Sequence, residues 1–148
     1  MSKPLQVPFA ATLHVKDACL CLHAQRAARA LARRFDEAFR RFGITSGQFS
    51  LLMSLNRPEP PGIGAVANLL AMDRTTLTAN LKPLERRDLL TVSVDPNDRR
   101  GRRLALTPTG MALLARALPV WMEHHAAIEA GLPNSDPDAL RAALLALS

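Results

Sequence analysis

A cluster of arginines in the second half of the chain offers the clearest chemistry. Four of the five residues from 99 to 103 are arginine, and only Gly101 interrupts them. Guanidinium groups stay charged and bond bidentately, so a cluster of this kind suits phosphates and base-edge acceptors. The net charge of +6 agrees with an anionic partner, although a generic basic surface would give the same total.

A second cluster, Cys19-x-Cys21-x-His23, could carry thiol or metal chemistry. Cys19 and His23 are four residues apart and can share one helix face, whereas Cys21 points elsewhere. His124 and His125 could join them only through folding that the sequence does not reveal. Both cysteines also fit ordinary packed thiols, and no zinc-hydrolase motif is present, so we predict no metal site and no cofactor.

The composition is typical of a single soluble domain that is mainly helical. The chain has 148 residues, of which 48% are hydrophobic and only 4% are aromatic, with alanine and leucine dominating. No run approaches the roughly 18 to 20 apolar residues of a membrane span, and the N-terminus lacks the apolar centre of a signal peptide. Its two cysteines lie two apart and form no disulfide framework, so we expect a cytoplasmic protein without a membrane partner.

The apolar spacing predicts a long first helix after an extended arm. Residues 1 to about 12 contain Pro4 and Pro8 and are typical of such an arm. Over residues 17–42, apolar residues recur at steps of three and four, with Asp17 as the predicted N-cap and Gly43 as the stop. The helix would have about 26 residues and a length of roughly 39 Å. A helix this long for the size of the chain often packs on a partner chain.

The next three helices are expected to include a helix-turn-helix. Thr45 or Ser46 can cap a helix that ends before Pro58. A short helix at about residues 64–71 follows, and Asp73 is the predicted N-cap of the helix after it. Two helices separated by so short a turn form a helix-turn-helix. The predicted core positions of the first of the three helices are Phe49, Leu52, Met53 and Leu55.

The last of these helices carries a narrow leucine stripe, and its other faces are polar. Leu77, Leu81 and Leu84 recur at i, i+4 and i+7 and should be buried. Pro83 removes the hydrogen bond to the carbonyl of Ala79, so the last turns should bend while the first turns stay straight. The residues left outside the stripe are Thr75, Thr76, Thr78, Ala79, Lys82 and Arg86.

Two alternating segments predict a β-hairpin after this helix. Residues 91–94 and 103–106 alternate as half-buried strands do, and residues 95–98 are typical of a turn. Most of the arginine cluster would then lie in the loop between the strands. The predicted architecture is mainly α with this one hairpin, in the order α-α-α-α-ββ-α-α.

Two further helices are predicted after the hairpin. Thr107 followed by Pro108 is a cap with proline at the first helical position, and this helix should end at Gly131. A last helix should begin at Ser135 or Asp136. The first helix and these two carry more apolar surface than so small a core can absorb, which favours dimerisation through the chain ends. The apolar lines are Met111, Leu114, Leu118 and Met122, with His125 beside them, and Leu140, Leu144, Leu145 and Leu147.

Three short motifs keep a characteristic order and spacing. The most specific is Asp98-x-Arg100 followed by Leu104-x-Leu106-Thr107-x-x-Gly110; Gly43-Ile44-Thr45 with Gln48-Phe49, and Leu84-Glu85 with Leu89-Leu90, accompany it. From about Cys19 to the C-terminus, the chain resembles the MarR family of winged helix-turn-helix transcriptional regulators. Asp88 stands where the family usually has glycine, but aspartate tolerates the left-handed conformation better than most residues. Pro83 is a second departure.

The resemblance implies one chain, residues 1–148, with a winged-helix DNA-binding lobe at about 45–107 and dimerisation helices at about 10–42 and 108–148. A homodimer would place its recognition helices in successive major grooves of a pseudo-palindromic operator. Arg100 would enter the minor groove as the wing-tip arginine, and Asp98 would orient the wing by pairing with an arginine. The predicted contacts with double-stranded DNA are Arg74, Thr75, Thr76, Thr78, Lys82, Arg99, Arg100, Arg102 and Arg103.

The resemblance also implies a repressor that a small aromatic or anionic effector releases from DNA. The effector would bind between the first two helices, the helix after the wing and the DNA-binding lobe. These lining residues could instead fill the core and the interface. The predicted lining is Cys21, His23, Arg26, Phe49, Met53 and Trp121.

Thiol sensing is an alternative mode of control. Cys21, which we expect to be partly buried, falls where a hydroperoxide-sensing branch of the family carries its reactive cysteine. That branch activates the thiol with tyrosine hydroxyls, and this chain has no tyrosine. Phe35 and Phe49 stand in their place.

Two other functional classes fit the sequence less well. The chain has no nucleophile elbow, no glycine-rich phosphate loop and no paired carboxylates at a useful spacing, so we expect no enzyme activity. A winged helix that binds only proteins would need neither the arginine cluster nor the threonine-rich helix face. DNA binding therefore remains the preferred interpretation.

Overall fold

The computed structural model describes residues 1–148 as seven α-helices and one two-stranded antiparallel hairpin. This confirms the mainly helical class with a small wing. None of the helices is both long and apolar enough to span a membrane. The elements are α1 (Phe9–Ala18), α2 (Leu20–Ala38), α3 (Ser46–Ser54), α4 (Ile63–Leu69), α5 (Arg74–Arg86), β1 (Leu90–Asp95), β2 (Asp98–Leu106), α6 (Pro108–Ala130) and α7 (Pro137–Ala146).

The predicted first helix is wrong in its start and in its continuity. The extended arm stops at Pro8, not near residue 12, and Asp17 lies inside α1 instead of capping a helix. The chain breaks at Cys19, whose φ of −67° and ψ of 111° are extended and whose Sγ accepts the N–H of Leu22 at 3.4 Å. One extended residue barely disturbs the three-and-four spacing, so apolar periodicity could not reveal the break.

The junction between α2 and α3 follows the predicted local chemistry. A short 3-10 turn after α2 ends at Gly43, whose φ of +68° is left-handed. Thr45 caps α3, because its hydroxyl accepts the N–H of Gln48 at 3.1 Å while the Gln48 side chain accepts the N–H of Thr45 at 3.0 Å. The carboxylate of Asp36 accepts the N–H of Ser46 at 2.6 Å and joins α2 to α3.

The helix-turn-helix is formed by α4 and α5. Asp73 caps α5 as predicted: its carboxylate accepts the N–H and the hydroxyl of Thr76, each at 2.8 Å. These two bonds hold the pKa of Asp73 below its ordinary value of 3.8. Leu77, Leu81 and Leu84 are buried, so the predicted stripe is the inward face of α5.

The end of α5 leads directly into the hairpin. Pro83 stands inside the helix, which continues to Arg86. Asp88 has a φ of +56°, the left-handed conformation for which glycine is the usual residue. The hydroxyl of Thr107 donates to the Asp88 carbonyl at 2.5 Å and accepts the N–H of Gly110 at 2.9 Å. The cap of α6 therefore also fixes the turn after α5.

The hairpin is longer than predicted. Because β2 begins at Asp98, the arginine cluster lies on a strand, and only Pro96 and Asn97 separate the strands. Backbone pairing continues outward beyond Val94, which lies opposite Arg102. Alternating apolar residues mark only the inner half of each strand, where one face packs on the core. The outer half is a solvent-exposed ribbon that such a pattern does not report.

The hydrophobic core lies where α2, α3, α5, α6 and the hairpin meet. A row of aromatic rings crosses it, with centroid distances of 5.8 Å from Phe35 to Phe39, 4.7 Å from Phe39 to Phe49 and 6.4 Å from Phe49 to Trp121. The largest fully buried side chains are Phe39, Leu52, Val66, Leu77, Leu84, Leu90 and Leu104. Of the four core positions predicted for α3, Phe49, Leu52 and Leu55 are buried and Met53 is partly buried.

The two ends of the chain contribute almost nothing to this core. Neither α1 nor α7 buries a single residue, and Met111, Leu118 and Met122 of α6 are exposed. The face of α6 that packs inward lies beside the predicted apolar line of this helix, and the two share only Leu114. That inward face comprises Gly110, Leu113, Leu114, Ala117 and Val120.

Candidate nucleic-acid interface

The outer face of α5 presents most of the residues predicted to contact DNA. Asp73 caps the start of α5. Because the leucine stripe packs on the core, the opposite face of the helix is exposed to solvent. Two cations lie at its ends, and two threonines and an alanine lie between them. Arg74, Thr75, Thr78, Ala79 and Lys82 line one shallow groove along this face.

The wing extends this surface. Thr78 and Lys82 also line a neighbouring groove whose far side includes Arg102 of β2. The two grooves share these α5 residues, so one surface runs from α5 to the wing; it carries three cations and, in the second groove, the carboxylate of Glu85. We call it the α5–wing surface, and it consists of the five groove residues together with Arg102. Hydroxyl and cationic side chains are those that bind phosphates and base edges.

Arg74 is supported by the preceding helix. A Cβ at Gly64 of α4 would lie 2.9 Å from the Arg74 Nη2 atom, so the guanidinium passes directly over this glycine. Sequence reasoning missed Gly64, because nothing local connects a glycine in α4 with an arginine ten residues later. Packing against α4 limits where the Arg74 side chain can point.

The three predicted threonines differ in what their hydroxyls do. The hydroxyl of Thr76 donates to Asp73, which makes Thr76 part of the helix cap. The hydroxyl of Thr78 donates to the Arg74 carbonyl at 2.8 Å, while Thr75 makes no side-chain hydrogen bond within the chain. Thr75 is therefore the threonine with a free donor.

The structure shows a backbone partner for Asp98, whereas the predicted partner is an arginine side chain. Its carboxylate accepts the backbone N–H of Arg100 at 3.0 Å, instead of pairing with an arginine side chain. The ion pair of the wing joins the Arg103 Nε atom to the Asp95 carboxylate at 3.4 Å. Aspartate readily closes such a turn with the amide two residues on.

The four arginines of the wing fall into two pairs. Arg102 donates through Nη1 to the carbonyls of Arg99 and Gly101, at 3.2 and 3.0 Å, and Arg103 is half-buried against Asp95. Both therefore also hold the shape of the wing. The side chains of Arg99 and Arg100 are exposed and make no hydrogen bond or ion pair within the chain. These two guanidinium groups are free for an anion.

A separate cavity of about 350 Å³ lies between α3, α4 and α6. Of the six residues predicted to line an effector site, it brings together Phe49, Met53 and Trp121. The sequence could not indicate the other lining residues, because they come from separate helices that meet only in the fold. These residues are Ser50, Ser54, Leu69 and Leu118.

The other three predicted effector residues lie elsewhere. Cys21, His23 and Arg26 are exposed on the first turns of α2, away from the cavity. The expected partial burial of Cys21 is thus wrong for the chain by itself, and no side chain hydrogen-bonds to its thiol. The His23 Nδ1 atom lies 2.7 Å from the Cys19 carbonyl of the same turn. No three His, Cys, Asp or Glu side chains come close enough together to hold a metal ion.

Comparison with known proteins identifies the family. The family model described as the MarR family matches residues 44–101, which span the helix-turn-helix and most of the wing. The transcriptional regulator MosR of M. tuberculosis, in complex with DNA, has 33% identity and a TM-score of 0.79 over 87% of this chain and 92% of that one. The transcriptional repressor CouR, bound to a 23-mer DNA duplex, has 27% identity and a TM-score of 0.78 over 98% and 99%.

A third similar structure is BpsR of Bordetella bronchiseptica, whose DNA binding is regulated by 6-hydroxynicotinic acid. It has 28% identity and a TM-score of 0.71 over 88% of this chain and 90% of that one. The similarity of all three extends over the whole winged helix and the helices that flank it. The chain therefore belongs to the MarR family of DNA-binding transcriptional regulators.

Proposed function

We propose that the chain acts as a homodimeric repressor that binds a pseudo-palindromic operator and leaves it when a small effector binds. The observation that carries the proposal is the α5–wing surface, in which Arg74, Lys82 and Arg102 surround two threonines. In a winged helix at residues 45–107, this surface would place α5 in the major groove. Arg100 at the tip of the wing would enter the adjacent minor groove, where the negative potential attracts a guanidinium.

The dimer is supported by the ends of the chain. A helix of ten residues is marginal in water unless its apolar side chains pack, yet α1 and α7 bury none of theirs. Phe9 is 72% exposed and Leu144 is 49% exposed. A second copy of the chain would cover such surfaces through residues 10–42 and 108–148. Two-fold symmetry would then set the recognition helices about 34–36 Å apart, one turn of DNA.

Repression and its release are supported by the relatives and by the position of the cavity. CouR is a repressor, and BpsR has its DNA binding regulated by a small aromatic molecule. In this chain, the cavity joins Leu69 of α4, next to the recognition helix, to Trp121 of α6. A molecule wedged between them would change the angle between α5 and the proposed dimer helices. Two recognition helices held at a new spacing would no longer match two major grooves.

Selection of bound DNA from a random duplex pool tests the proposal. The expected result is an inverted repeat whose half-site centres are about 10 base pairs apart, bound by a species of twice the chain mass in analytical ultracentrifugation. Lys82→Ala should weaken binding to the selected site. Arg116→Ala, an exposed arginine on α6 that lies outside the α5–wing surface, is the matched control. Selection of no consensus, or of a single half-site by a monomer, would contradict the proposal.

A further inference from the structure

Three residues at the tip of the wing have no partner on the opposite strand. Val94 of β1 lies opposite Arg102, and the next residue of β1, Asp95, lies opposite Asp98. Residues 99–101 of β2 therefore bulge out of the ribbon, and we call this segment the wing-tip bulge. Bulges of this kind change the direction in which a strand presents its side chains.

One side chain from the following strand residue closes the wing-tip bulge. The Nη1 atom of Arg102 donates to the carbonyl of Arg99 at 3.2 Å and to the carbonyl of Gly101 at 3.0 Å. These two carbonyls lie on either side of Arg100, the middle residue of the bulge. The guanidinium of Arg102 therefore bridges the first and last residues of the bulge, which the opposite strand leaves unpaired.

The peptide group between Arg99 and Arg100 is held at both of its polar atoms. Its carbonyl accepts the hydrogen bond from Arg102, and its N–H donates to the carboxylate of Asp98 at 3.0 Å. Because a peptide group is planar, two bonds at its opposite sides fix its orientation. The direction in which the Arg100 side chain leaves the backbone follows from that orientation.

The last residue of the bulge packs tightly against the turn of the hairpin. A Cβ at Gly101 would lie 3.3 Å from the Asp95 Cβ atom and 3.3 Å from the carbonyl oxygen of Asp98. Both distances are shorter than the optimal separation of non-bonded heavy atoms. The wing-tip bulge thus folds back onto the two residues that flank the turn, and this contact restricts its backbone further.

Arg102 itself is poorly placed to bind a phosphate. Its Nη1 atom already donates to two carbonyls, and the groove that it lines includes Glu85 of α5. A carboxylate in the same groove would repel a phosphate. The side chains of Arg99 and Arg100, by contrast, are exposed and make no hydrogen bond or ion pair within the chain. The charges available to DNA therefore lie on the bulge, and Arg102 supports them.

We propose that Arg102 is a positioning residue that promotes DNA binding through Arg100. By holding the carbonyls of Arg99 and Gly101, it gives the wing-tip bulge one conformation before DNA is bound. Arg100 then enters the minor groove with little further ordering of the tip, and such preorganisation raises affinity. The proposal rests on the wing-tip role of Arg100 in the proposed function.

A double-mutant cycle on the full chain tests whether Arg102 acts through Arg100. Operator affinity is measured by fluorescence anisotropy for Arg102→Met, for Arg100→Ala and for the double variant, and circular dichroism verifies that each is folded. We expect Arg102→Met to weaken binding about 10-fold in the wild-type chain and no more than about 2-fold in the Arg100→Ala chain, because residues that act together are not additive.

Arg99→Met is the matched control for this cycle. It removes the same charge from the neighbouring bulge residue, whose side chain makes no bond within the chain. An independent contact is additive, so Arg99→Met should weaken binding by the same factor in the wild-type and Arg100→Ala chains, to within about 2-fold.

Two further measurements separate positioning from charge. In the Arg100→Ala chain, Arg102→Met should not alter the plot of the logarithm of the binding constant against the logarithm of the salt concentration. Loss of a direct phosphate contact would make that plot less steep by about 0.9. Without DNA, the NMR order parameter of the Arg100 amide should fall from about 0.85 to below about 0.6 in Arg102→Met and should stay near the higher value in Arg99→Met.

Failure of this proposal is distinguishable from failure of the proposed function. An equal cost of Arg102→Met in the wild-type and Arg100→Ala chains, or an unchanged order parameter, would overturn the positioning role and leave the wing-tip role intact. Unaltered affinity of Arg100→Ala would reject the wing-tip role, and the positioning role with it. If no operator is selected, the same cycle is run on a random-sequence duplex, because the wing tip would read the shape of the minor groove and not base identity.

Discussion

The guanidinium of Arg87, the residue directly after α5, donates to the Gly43 carbonyl at 2.6 Å and to the Phe42 carbonyl at 3.3 Å. These carbonyls close the turn that follows α2, so one side chain joins the ends of α5 and α2. A Cβ at Gly43 would lie 3.3 Å from the Arg87 Nη2 atom, and the φ there is +68°. Glycine at residue 43 serves both the left-handed turn and this close contact.

Arg87→Met should lower DNA affinity by more than the loss of one positive charge explains. The recognition helix would lose its link to the proposed dimer helix, so its orientation would be less restricted. Arg86→Met removes the same charge from the neighbouring exposed position and is the control. We expect Arg87→Met to bind the operator about 3- to 10-fold more weakly than Arg86→Met in a fluorescence-anisotropy titration, equivalent to about 1 kcal/mol. Equal affinities would show that Arg87 contributes only charge.

Arg100→Ala should weaken operator binding strongly without altering the stability of the fold. Its side chain makes no hydrogen bond or ion pair within the chain, so truncation removes nothing from the free protein. We expect a loss of about 10-fold or more in a gel-shift titration, with a thermal midpoint within about 1 °C of wild type. If the guanidinium also neutralises a phosphate, the plot of the logarithm of the binding constant against the logarithm of the salt concentration should become less steep by about 0.9. Arg116→Ala should change none of these values, and unaltered affinity of Arg100→Ala would reject the wing-tip role.

Gly110→Ala should severely destabilise the chain. A Cβ at residue 110 would lie 2.0 Å from the carbonyl oxygen of Leu89, a backbone atom that cannot rotate away. The first turn of α6 would have to move off the start of β1, at a cost of more than about 3 kcal/mol. Urea unfolding measures this cost. Ala112→Ser, at an exposed position two residues further along α6, should cost about 0.5 kcal/mol or less.

The cap at Asp73 should make the free energy of unfolding depend on pH only under acidic conditions. Because its hydrogen bonds with Thr76 lower the pKa of Asp73 below 3.8, the charged cap stabilises the fold fully above that pH. The contribution is lost as the pH falls through the lower pKa of the folded state. Asp73→Asn retains a capping oxygen but does not titrate.

The free energy of unfolding, wild type minus Asp73→Asn, should therefore be constant from pH 7 to about pH 5 and should decrease below 3.8. Urea titrations at a series of pH values measure this difference. A decrease that begins near neutral pH would implicate another ionisable group.

Leu144→Glu should separate the two copies of the proposed dimer. The carboxylate would enter the apolar line of α7, where an unpaired charge cannot be covered by a partner chain. Ala142→Glu, on the opposite side of the same helix, adds an identical charge and should remain dimeric. Analytical ultracentrifugation should give the chain mass for Leu144→Glu and twice that mass for the control. A dimeric Leu144→Glu would mean that α7 is not part of the interface.

Features that depend on a few neighbouring residues could be predicted from the sequence. The caps at Thr45, Asp73 and Thr107 were confirmed, because each involves a side chain and an amide within three residues. The leucine stripe of α5 was confirmed for the same reason, since helical spacing alone brings its members to one face. The family motifs lie on these same elements, which is why the winged helix was identified correctly.

The errors arose where local patterns are ambiguous. Apolar periodicity continues across Cys19, so one long helix was predicted where two exist. Alternation ends where β2 leaves the core, so the predicted strand is too short and only Arg103 of the four arginines falls within it. Asp98 lies among four arginines, and only the folded backbone shows that it bonds to an amide and that Asp95 takes the ion pair.

The sequence by itself therefore determined the order of the elements from α3 onward, the caps of α3, α5 and α6, the outward face of α5 and the basic wing. These follow from hydrogen bonding and helix geometry over a turn or two. Only the tertiary structure decided that Arg74 passes over Gly64, that Arg87 joins α5 to α2, and that Phe49, Leu69 and Trp121 line one open pocket. Such contacts join residues far apart in the chain, and they exist only after the helices have packed on their common core.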